Sequence, residues 1–180
     1  MSYVLRKEPD MKKTCRHFLS LVLAAAMALI MGISVYAASI TATQARNIAL
    51  RNAGLTISKA SDVKVKLDGR EYDVKFVRKS DKAKLDYDIL ASNGRILERE
   101  IKYAHKKNTS TKKIGADAAR QKAAAFSKVS LAKVKAGTCK YERENGEWVY
   151  EVEFRNAGRE YEVVMLAATG KVIEYTIEYE

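Results

Sequence analysis

Apolar and polar residues alternate along most of the chain beyond residue 60. In the clearest stretch Trp148, Tyr150, Val152 and Phe154 occupy every second position, and the charged residues Glu151 and Glu153 separate the last three. Strict alternation is typical of strands that bury one face. The alternation predicts further buried positions at Tyr161, Val163, Met165, Ile173, Tyr175, Ile177 and Tyr179, and earlier in the chain at Val63, Val65, Tyr72, Val74, Phe76, Leu85, Tyr87, Ile89, Leu97 and Ile101.

Two segments instead show the spacing of an amphipathic helix. In the first, Thr41 and Gln44 fit a capping box. An apolar stripe follows at Ala45, Ile48, Ala49 and Ala53, and Gly54 is a plausible stop. In the second segment, Asp117 is the expected cap of a stripe formed by Ala119, Ala123 and Phe126.

These patterns occur twice, in the same order. Residues 40–46 (ITATQAR) align with 114–120 (IGADAAR), and 72–76 (YDVKF) align with 150–154 (YEVEF). Residues 92–98 (SNGRILE) then align with 168–174 (ATGKVIE). The offset of 74 to 78 residues indicates a tandem duplication. We expect an α+β protein of two tandem units, 38–105 and 114–180, each with an N-terminal helix packed on one face of a four-stranded antiparallel meander sheet.

Turn residues predict the strand register. Two-residue turns at Asp68-Gly69 and Asn145-Gly146 would pair Val65 with Tyr72, Tyr141 with Tyr150 and Cys139 with Val152. A turn at Ala157-Gly158 would pair Phe154 with Tyr161 and Val152 with Val163. Three-residue loops ending in Gly94 and Gly170 would pair Ile89 with Leu97 and Met165 with Ile173.

This register predicts an exposed apolar row on the outward face of the sheet. The row is formed in the second unit by Val149, Val164, Leu166 and Val172, and in the first by Leu90 and Ile96. An exposed apolar row on a sheet is a candidate protein-binding surface. The sequence leaves open whether an external partner binds there or the two units dock on each other.

The N-terminal segment resembles a secretory signal. Basic residues Lys12, Lys13 and Arg16 precede an apolar run, residues 18–35, and small residues end at Ala37. We expect cleavage after Ala37, with Met11 as a possible true start, and hence a secreted or envelope-associated protein. An uncleaved membrane anchor is the alternative, because about 18 apolar residues can just span a bilayer.

The net charge of +11 is concentrated in the first unit and in the connector, residues 106–113. Four lysines, Lys106, Lys107, Lys112 and Lys113, occur there without an acidic residue. They are candidate contacts for an anionic cell-wall polymer or lipid headgroups. A solvated flexible linker is the simpler interpretation, and export disfavours nucleic acid as the partner.

The residues predict neither an active site nor a cofactor or metal site. Beyond the signal the chain has a single histidine, His105, expected to be a solvated loop residue, and a single cysteine, Cys139. Neither has a partner of the kind that a metal site or a nucleophile–base pair requires. Acidic residues that fall on one sheet face are expected to be a solvated face and not a calcium site: Glu151, Glu153, Glu162 and Glu174.

The order of helix, hairpin glycine, Tyr-x-Val-x-Phe and Gly-basic-apolar-apolar run resembles the PepSY family. The resemblance covers residues 40–103 and 114–179 and is better in the second unit, through 148–154 (WVYEVEF) and 168–174 (ATGKVIE). PepSY modules occur in propeptides of thermolysin-like metallopeptidases and in secreted or anchored bacterial proteins. The resemblance implies a non-enzymatic module that inhibits or modulates an extracellular peptidase or binds another envelope protein. An envelope-associated structural or adhesive protein that binds wall polymer is the alternative.

Overall fold

The computed structural model describes residues 39–133 and 135–180. The predicted signal segment, residues 1–37, lies outside the described residues. Two α-helices and eight strands make up the described part, with single 3₁₀ turns at Ile57–Lys59 and Leu131–Lys133. The helices are α1 (Ala42–Asn52) and α2 (Ala116–Phe126); the strands are β1 (Ala60–Asp68), β2 (Glu71–Arg78), β3 (Lys84–Leu90), β4 (Ile96–Lys102), β5 (Lys135–Glu144), β6 (Glu147–Arg155), β7 (Arg159–Leu166) and β8 (Val172–Tyr179).

All eight strands join in one antiparallel sheet of order β1-β2-β3-β4-β8-β7-β6-β5. The first half (residues 39–105) supplies β1–β4 and the second half (residues 114–180) supplies β5–β8. They meet at a seam between β4 and β8, where Arg99 lies opposite Ile177 and Ile101 opposite Tyr175. The sequence left the arrangement of the halves open; the structure joins them edge to edge and not through the outward face.

One row of inward side chains crosses seven strands without a break. Opposite residues of antiparallel strands share a face. The successive partners are Phe76, Leu85, Ile101, Tyr175, Val163, Val152 and Cys139. Both helices pack on this face, because Ala45 and Ala49 of α1 and Ala119 and Ala123 of α2 belong to the same buried cluster. The opposite side of the sheet, the helix-free face, has no helix over it.

The two helices begin differently. The Thr41 backbone N–H donates to Oε1 of Gln44 (2.7 Å), and the Gln44 N–H donates to the Thr41 hydroxyl, so the predicted capping box is confirmed. In α2 the prediction was wrong. Gly115, with a φ of +92°, is the N-cap residue, and Asp117 lies in the first turn of the helix. There its carboxylate faces the positive end of the helix dipole.

Most of the predicted register is observed in the second half. Tyr141 lies opposite Tyr150, Cys139 opposite Val152 and Phe154 opposite Tyr161. The first hairpin differs. Asp68 pairs with Glu71, so Gly69 and Arg70 form its turn, and Val65 lies opposite Val74 instead of Tyr72. The shift is two residues, which leaves every side chain on its predicted face because the strand period is two.

The loops before β4 and β8 differ from the prediction in a way that moves side chains. Each loop has four residues and begins directly after the preceding strand. A hydrogen bond from the Leu90 N–H to the Arg95 carbonyl oxygen (2.8 Å) closes the first loop, and one from the Leu166 N–H to the Lys171 carbonyl oxygen (2.9 Å) closes the second. A β-bulge follows in both halves, so that Ile89 pairs with Ile96 and Met165 with Val172. Because each bulge inserts one extra residue, Ile96 and Val172 turn to the helix side and leave the predicted apolar row.

Among the described residues, no helix has the length and apolarity needed to span a membrane.

Candidate functional site

The apolar row of the second half lies on the helix-free face as predicted, but it is not exposed. Val149 pairs with Leu166, and two residues further along the strands Glu151 pairs with Val164. Val149 is fully buried, while Val164 is 2% and Leu166 4% exposed. Leu90, the remaining member from the first half, is half-buried on the same face. The expectation that the row faces solvent was therefore wrong, although binding through these residues stays untested.

The connector accounts for this burial. A valine on a face without helices loses all its solvent exposure only if another segment covers it. Glu147 lies two residues before Val149 on the same face, and its carboxylate holds the connector. The Asn108 backbone N–H donates to its Oε1, and Nε2 of His105 lies 3.0 Å from its Oε2. The geometry indicates that the connector crosses this end of the helix-free face.

His105 and the connector are thus ordered by specific contacts. The imidazole is about one-fifth exposed, and its Nδ1 lies 3.2 Å from the Tyr103 carbonyl oxygen. The hydrogen bond from Asn108, followed by that from His105, lowers the pKa of Glu147 below its ordinary value. The expectations of a solvated histidine and a flexible linker were wrong. Both assumed that these residues have no partner, but Glu147, which lies 39 residues after Asn108 and 42 residues after His105, contacts both.

The four connector lysines remain exposed. The Lys113 ammonium lies 5.3 Å from the centroid of the Tyr141 ring, which itself stacks on Trp148 at 4.8 Å. The ammonium end of the Lys107 side chain approaches the turn at Gly146. Lys106 and Lys112 are also exposed, so the predicted polymer contacts are sterically available, and their role stays a prediction.

Away from the apolar row, the helix-free face is strongly acidic. Its outward strand positions carry more than twice as many carboxylates as basic groups. The basic groups are Lys64, Lys66, Lys75, Lys84, Lys102, Lys140 and Arg155, and the carboxylates apart from Glu147 are Asp68, Glu71, Asp73, Asp86, Asp88, Glu98, Glu100, Glu142, Glu144, Glu151, Glu153, Glu160, Glu162, Glu174 and Glu178. The chain as a whole is basic, so positive charge is concentrated on the other surfaces.

Five of these carboxylates form an unbroken line across five adjacent strands, the acidic row: Asp73, Asp88, Glu98, Glu178 and Glu160. Each lies directly opposite the next. The line crosses the seam between the halves, and a basic residue stands at each end, Lys66 opposite Asp73 and Arg155 opposite Glu160. Since neighbouring strands are about 4.8 Å apart, the row is about 19 Å long.

Several lysines of the face already contact carboxylates. Lys75 contacts Asp73 at 2.9 Å and also contacts Asp86. Lys102 lies 2.9 Å from Glu100 and 3.4 Å from Glu174, and Lys140 contacts Glu151 and, at 2.8 Å, Glu153. The central carboxylates of the acidic row, Asp88, Glu98 and Glu178, have no basic residue opposite them.

The remaining carboxylates repel one another. Burial, followed by the charge of Asp73, raises the pKa of Asp88 above its ordinary value. Burial, followed by the charges of Asp88 and Glu178, likewise raises the pKa of Glu98. At the seam, burial and a hydrogen bond with Glu100 raise the pKa of Glu174 to about 7.

Two groups of carboxylates are close enough for a shared cation. In each group the oxygens lie within 4.8 Å of one another: Asp73, Asp86 and Asp88, and Glu142, Glu144 and Glu151. In the first group the Lys75 ammonium already contacts two of the three carboxylates, and in the second Lys140 contacts Glu151. A lysine thus supplies positive charge at each group, and neither forms a closed ligand shell.

The described residues bring together no nucleophile and base. The Cys139 thiol is half-buried against α2, where its Sγ donates to the Ala116 carbonyl oxygen at 3.9 Å. Burial raises the pKa of this thiol, which keeps it protonated and poorly nucleophilic. His105 is committed to Glu147 on the opposite face.

Comparison with known proteins gives one family match. Residues 113–176 match the model of the PepSY family, described as the peptidase propeptide and YPEB domain. The match covers the second half, where the resemblance in sequence is better, and the corresponding prediction for the first half stays a prediction. No curated protein matches the chain.

Several solved structures align with part of the chain. The C-terminal domain of YpeB from Bacillus megaterium aligns with a TM-score of 0.43 and 13% identity, covering 76% of this chain and 62% of that one. The chain therefore spans less than two thirds of that domain. A BLIP-like protein from Bacteroides fragilis aligns with a TM-score of 0.31 and 14% identity, covering 78% of this chain and 89% of that one.

Proposed function

We propose that this protein is a secreted, non-enzymatic binding module that inhibits or modulates an extracellular peptidase. One observation carries the proposal. An eight-stranded sheet is covered by helices on one face only, and its other face is broad, ordered and lined by charged side chains. Such a face can occlude a partner without any chemistry of its own. The PepSY match over residues 113–176 supports the class of partner, since its description names peptidase propeptides.

The direct test is an inhibition assay. Purified protein is titrated into the extracellular peptidases of the source culture and, separately, into a thermolysin-class metallopeptidase, and the rate of hydrolysis of a chromogenic peptide is followed. We expect a saturable change in rate. An unrelated basic protein of similar size controls for charge, and gel electrophoresis shows whether the protein is merely a competing substrate. Rates that stay unchanged in both arms would overturn the proposal.

A second function is favoured by the separation of charge. Because carboxylates are concentrated on the helix-free face, the helix side and the connector carry most of the basic groups, with Lys106, Lys107 and Lys112 exposed. Such a surface suits an anionic wall polymer. A pull-down with purified cell walls tests this function. Retention that falls steeply with salt and is lost when the connector lysines are changed to glutamine is expected, and retention that is independent of these lysines contradicts it.

A further inference from the structure

The acidic row is costly to the fold. Like charges directly opposite each other on neighbouring strands destabilise a sheet. Here the arrangement is repeated along Asp73, Asp88, Glu98, Glu178 and Glu160, including the pair Glu98–Glu178 at the seam itself. Neutral polar residues would form the same sheet without this repulsion. The packing of the sheet therefore does not explain the row.

The row is also short of hydrogen-bond donors between its ends, where Lys75 contacts Asp73 and Arg155 donates to Glu160. Oδ1 of Asp73 is buried from solvent and has no hydrogen-bond partner among the described residues. The pKa values of Asp88 and Glu98 are raised for a related reason: both carboxylates are partly removed from water and lie beside other acidic charges. A cationic partner would supply a hydrogen-bond donor to the Asp73 oxygen and would offset the negative charge of Asp88 and Glu98.

The row is accessible over its central part. The helices lie on the other side of the sheet, and the connector crosses the face at Glu147, at the start of β6, while the acidic row ends on β7. The end of the row at Asp73 lies in an acidic depression of about 350 Å³. The depression is lined by Asp68, Glu71, Asp73, Lys75, Asp86, Tyr87, Asp88 and Glu98.

Building on the proposed function, we propose that the acidic row is the docking site for a basic protein segment whose lysine or arginine side chains follow one another at about 5 Å. The spacing of the carboxylates, about 4.8 Å from strand to strand, matches the 5.4 Å pitch of an α-helix. A helix with basic residues along one face presents cations at this spacing to the central carboxylates Asp88, Glu98 and Glu178. The end carboxylates already contact Lys75 and Arg155. The occupant is therefore a basic helix of the partner protein, laid across the strands.

The test uses a helical peptide and needs no peptidase. An alanine-based peptide of about 18 residues carries lysines along one face, and a second peptide of identical composition distributes them around the helix. Binding to the purified protein is measured by fluorescence anisotropy at about 50 mM and about 300 mM salt. We expect the one-faced peptide to bind more tightly than its isomer, with an affinity that falls as salt is raised.

The protein variants locate the site. The row variant combines Asp88→Asn, Glu98→Gln and Glu178→Gln. The matched control combines Asp117→Asn, Glu142→Gln and Glu144→Gln, which changes the net charge equally but leaves the row intact. Loss of three charge contacts should weaken binding of the one-faced peptide by about tenfold in the row variant and by less than about twofold in the control.

Three results would overturn the docking site: equal weakening in both variants, equal binding of the two peptides, or no binding at about 50 mM salt. Circular dichroism establishes that each variant is folded. Because this assay contains no peptidase, its outcome is independent of the inhibition assay. Peptide binding at the row with no effect on any peptidase removes only the proposed function, whereas inhibition that the row variant retains in full removes only the docking site.

Discussion

A single carboxylate, Glu147, determines how the connector lies on the sheet. It is nearly buried, with 10% of its side chain exposed, and accepts hydrogen bonds from the Asn108 backbone and from His105. A buried carboxylate is stable when it receives such donors, and the same donors would be orphaned without it. The burial of Val149 next to it depends on the same contact.

Replacement of Glu147 by alanine should therefore release the connector. We expect the free energy of unfolding to fall by about 1–2 kcal/mol, because the Asn108 N–H loses its acceptor. Urea titration measures the loss, and hydrogen exchange at the Asn108 amide should speed up more than exchange in the strands. Glu144→Gln is the control: it removes a like charge directly opposite Glu147, so it should neither lower the free energy of unfolding nor speed up exchange at the Asn108 amide. An unaltered Asn108 amide in Glu147→Ala would show that the connector is held by other contacts.

A second carboxylate makes the seam sensitive to pH. Glu174 and Glu100 share the ammonium of Lys102, and the pKa of Glu174 is raised to about 7 by burial and by its hydrogen bond with Glu100. In the unfolded chain the pKa of Glu174 returns to about 4.5. The folded state therefore binds the extra proton between these values. Its stabilising effect is complete below about pH 4.5 and disappears as the pH rises through 7.

Glu174→Gln should remove this dependence. Thermal melts between about pH 5 and pH 8 should show the midpoint of the wild type falling with rising pH, and the variant should melt about 3 °C higher than the wild type at pH 8. Glu153→Gln is the opposing control. A hydrogen bond from Lys140 lowers the pKa of Glu153, so this change should lower the midpoint at pH 8. If Glu174→Gln melts below the wild type at pH 8, the carboxylate stabilises the seam through Lys102 instead.

At the scale of elements, the loops before β4 and β8 show where sequence reasoning succeeds and where it stops. Alternation placed the strands and most of their faces correctly in both halves, because burial of one face requires a period of two. The glycines correctly marked the turns. The alternating pattern did not predict the bulges that follow Gly94 and Gly170, where one extra residue is inserted into each strand. Two members of the predicted apolar row, Ile96 and Val172, changed face for this reason.

The structure explains why the first of these loops needs glycine. Gly94 has a φ of +77°, and a Cβ atom there would lie 2.8 Å from Cδ1 of Ile48 on α1. Gly94→Ala should thus strain the backbone and also force the Ile48 side chain to shift, with a total cost of about 2 kcal/mol. Gly69 is the matched control, because its φ is +59° but no atom lies within 4 Å of the added Cβ. Gly69→Ala should cost about 1 kcal/mol. Equal losses in urea titrations of the two variants would mean that contact with Ile48 is unimportant.

At the scale of the whole molecule, the two halves form one continuous sheet with two chemically different faces. The sequence indicated the acidic character of Glu151, Glu153, Glu162 and Glu174, and predicted an ordinary solvated face. It could not show that the two halves align their outward faces, because that depends on the β4–β8 pairing, and residues 98–102 and 174–178 contain no signal for it. The acidic row exists only through this pairing, since Glu98 and Glu178 come from different halves.

The same pairing predicts that the halves unfold together. Trp148, the single tryptophan of the chain, reports on the second half. Leu85 is 2% exposed in the first half, and Leu85→Ala should cost about 2–4 kcal/mol. If the seam couples the halves, the urea midpoint followed by tryptophan fluorescence should fall by the same amount as that followed by circular dichroism, although Leu85 and Trp148 lie in different halves. A fluorescence midpoint that stays at the wild-type value would mean that the second half folds independently, and the seam would then be a weak contact between two autonomous units.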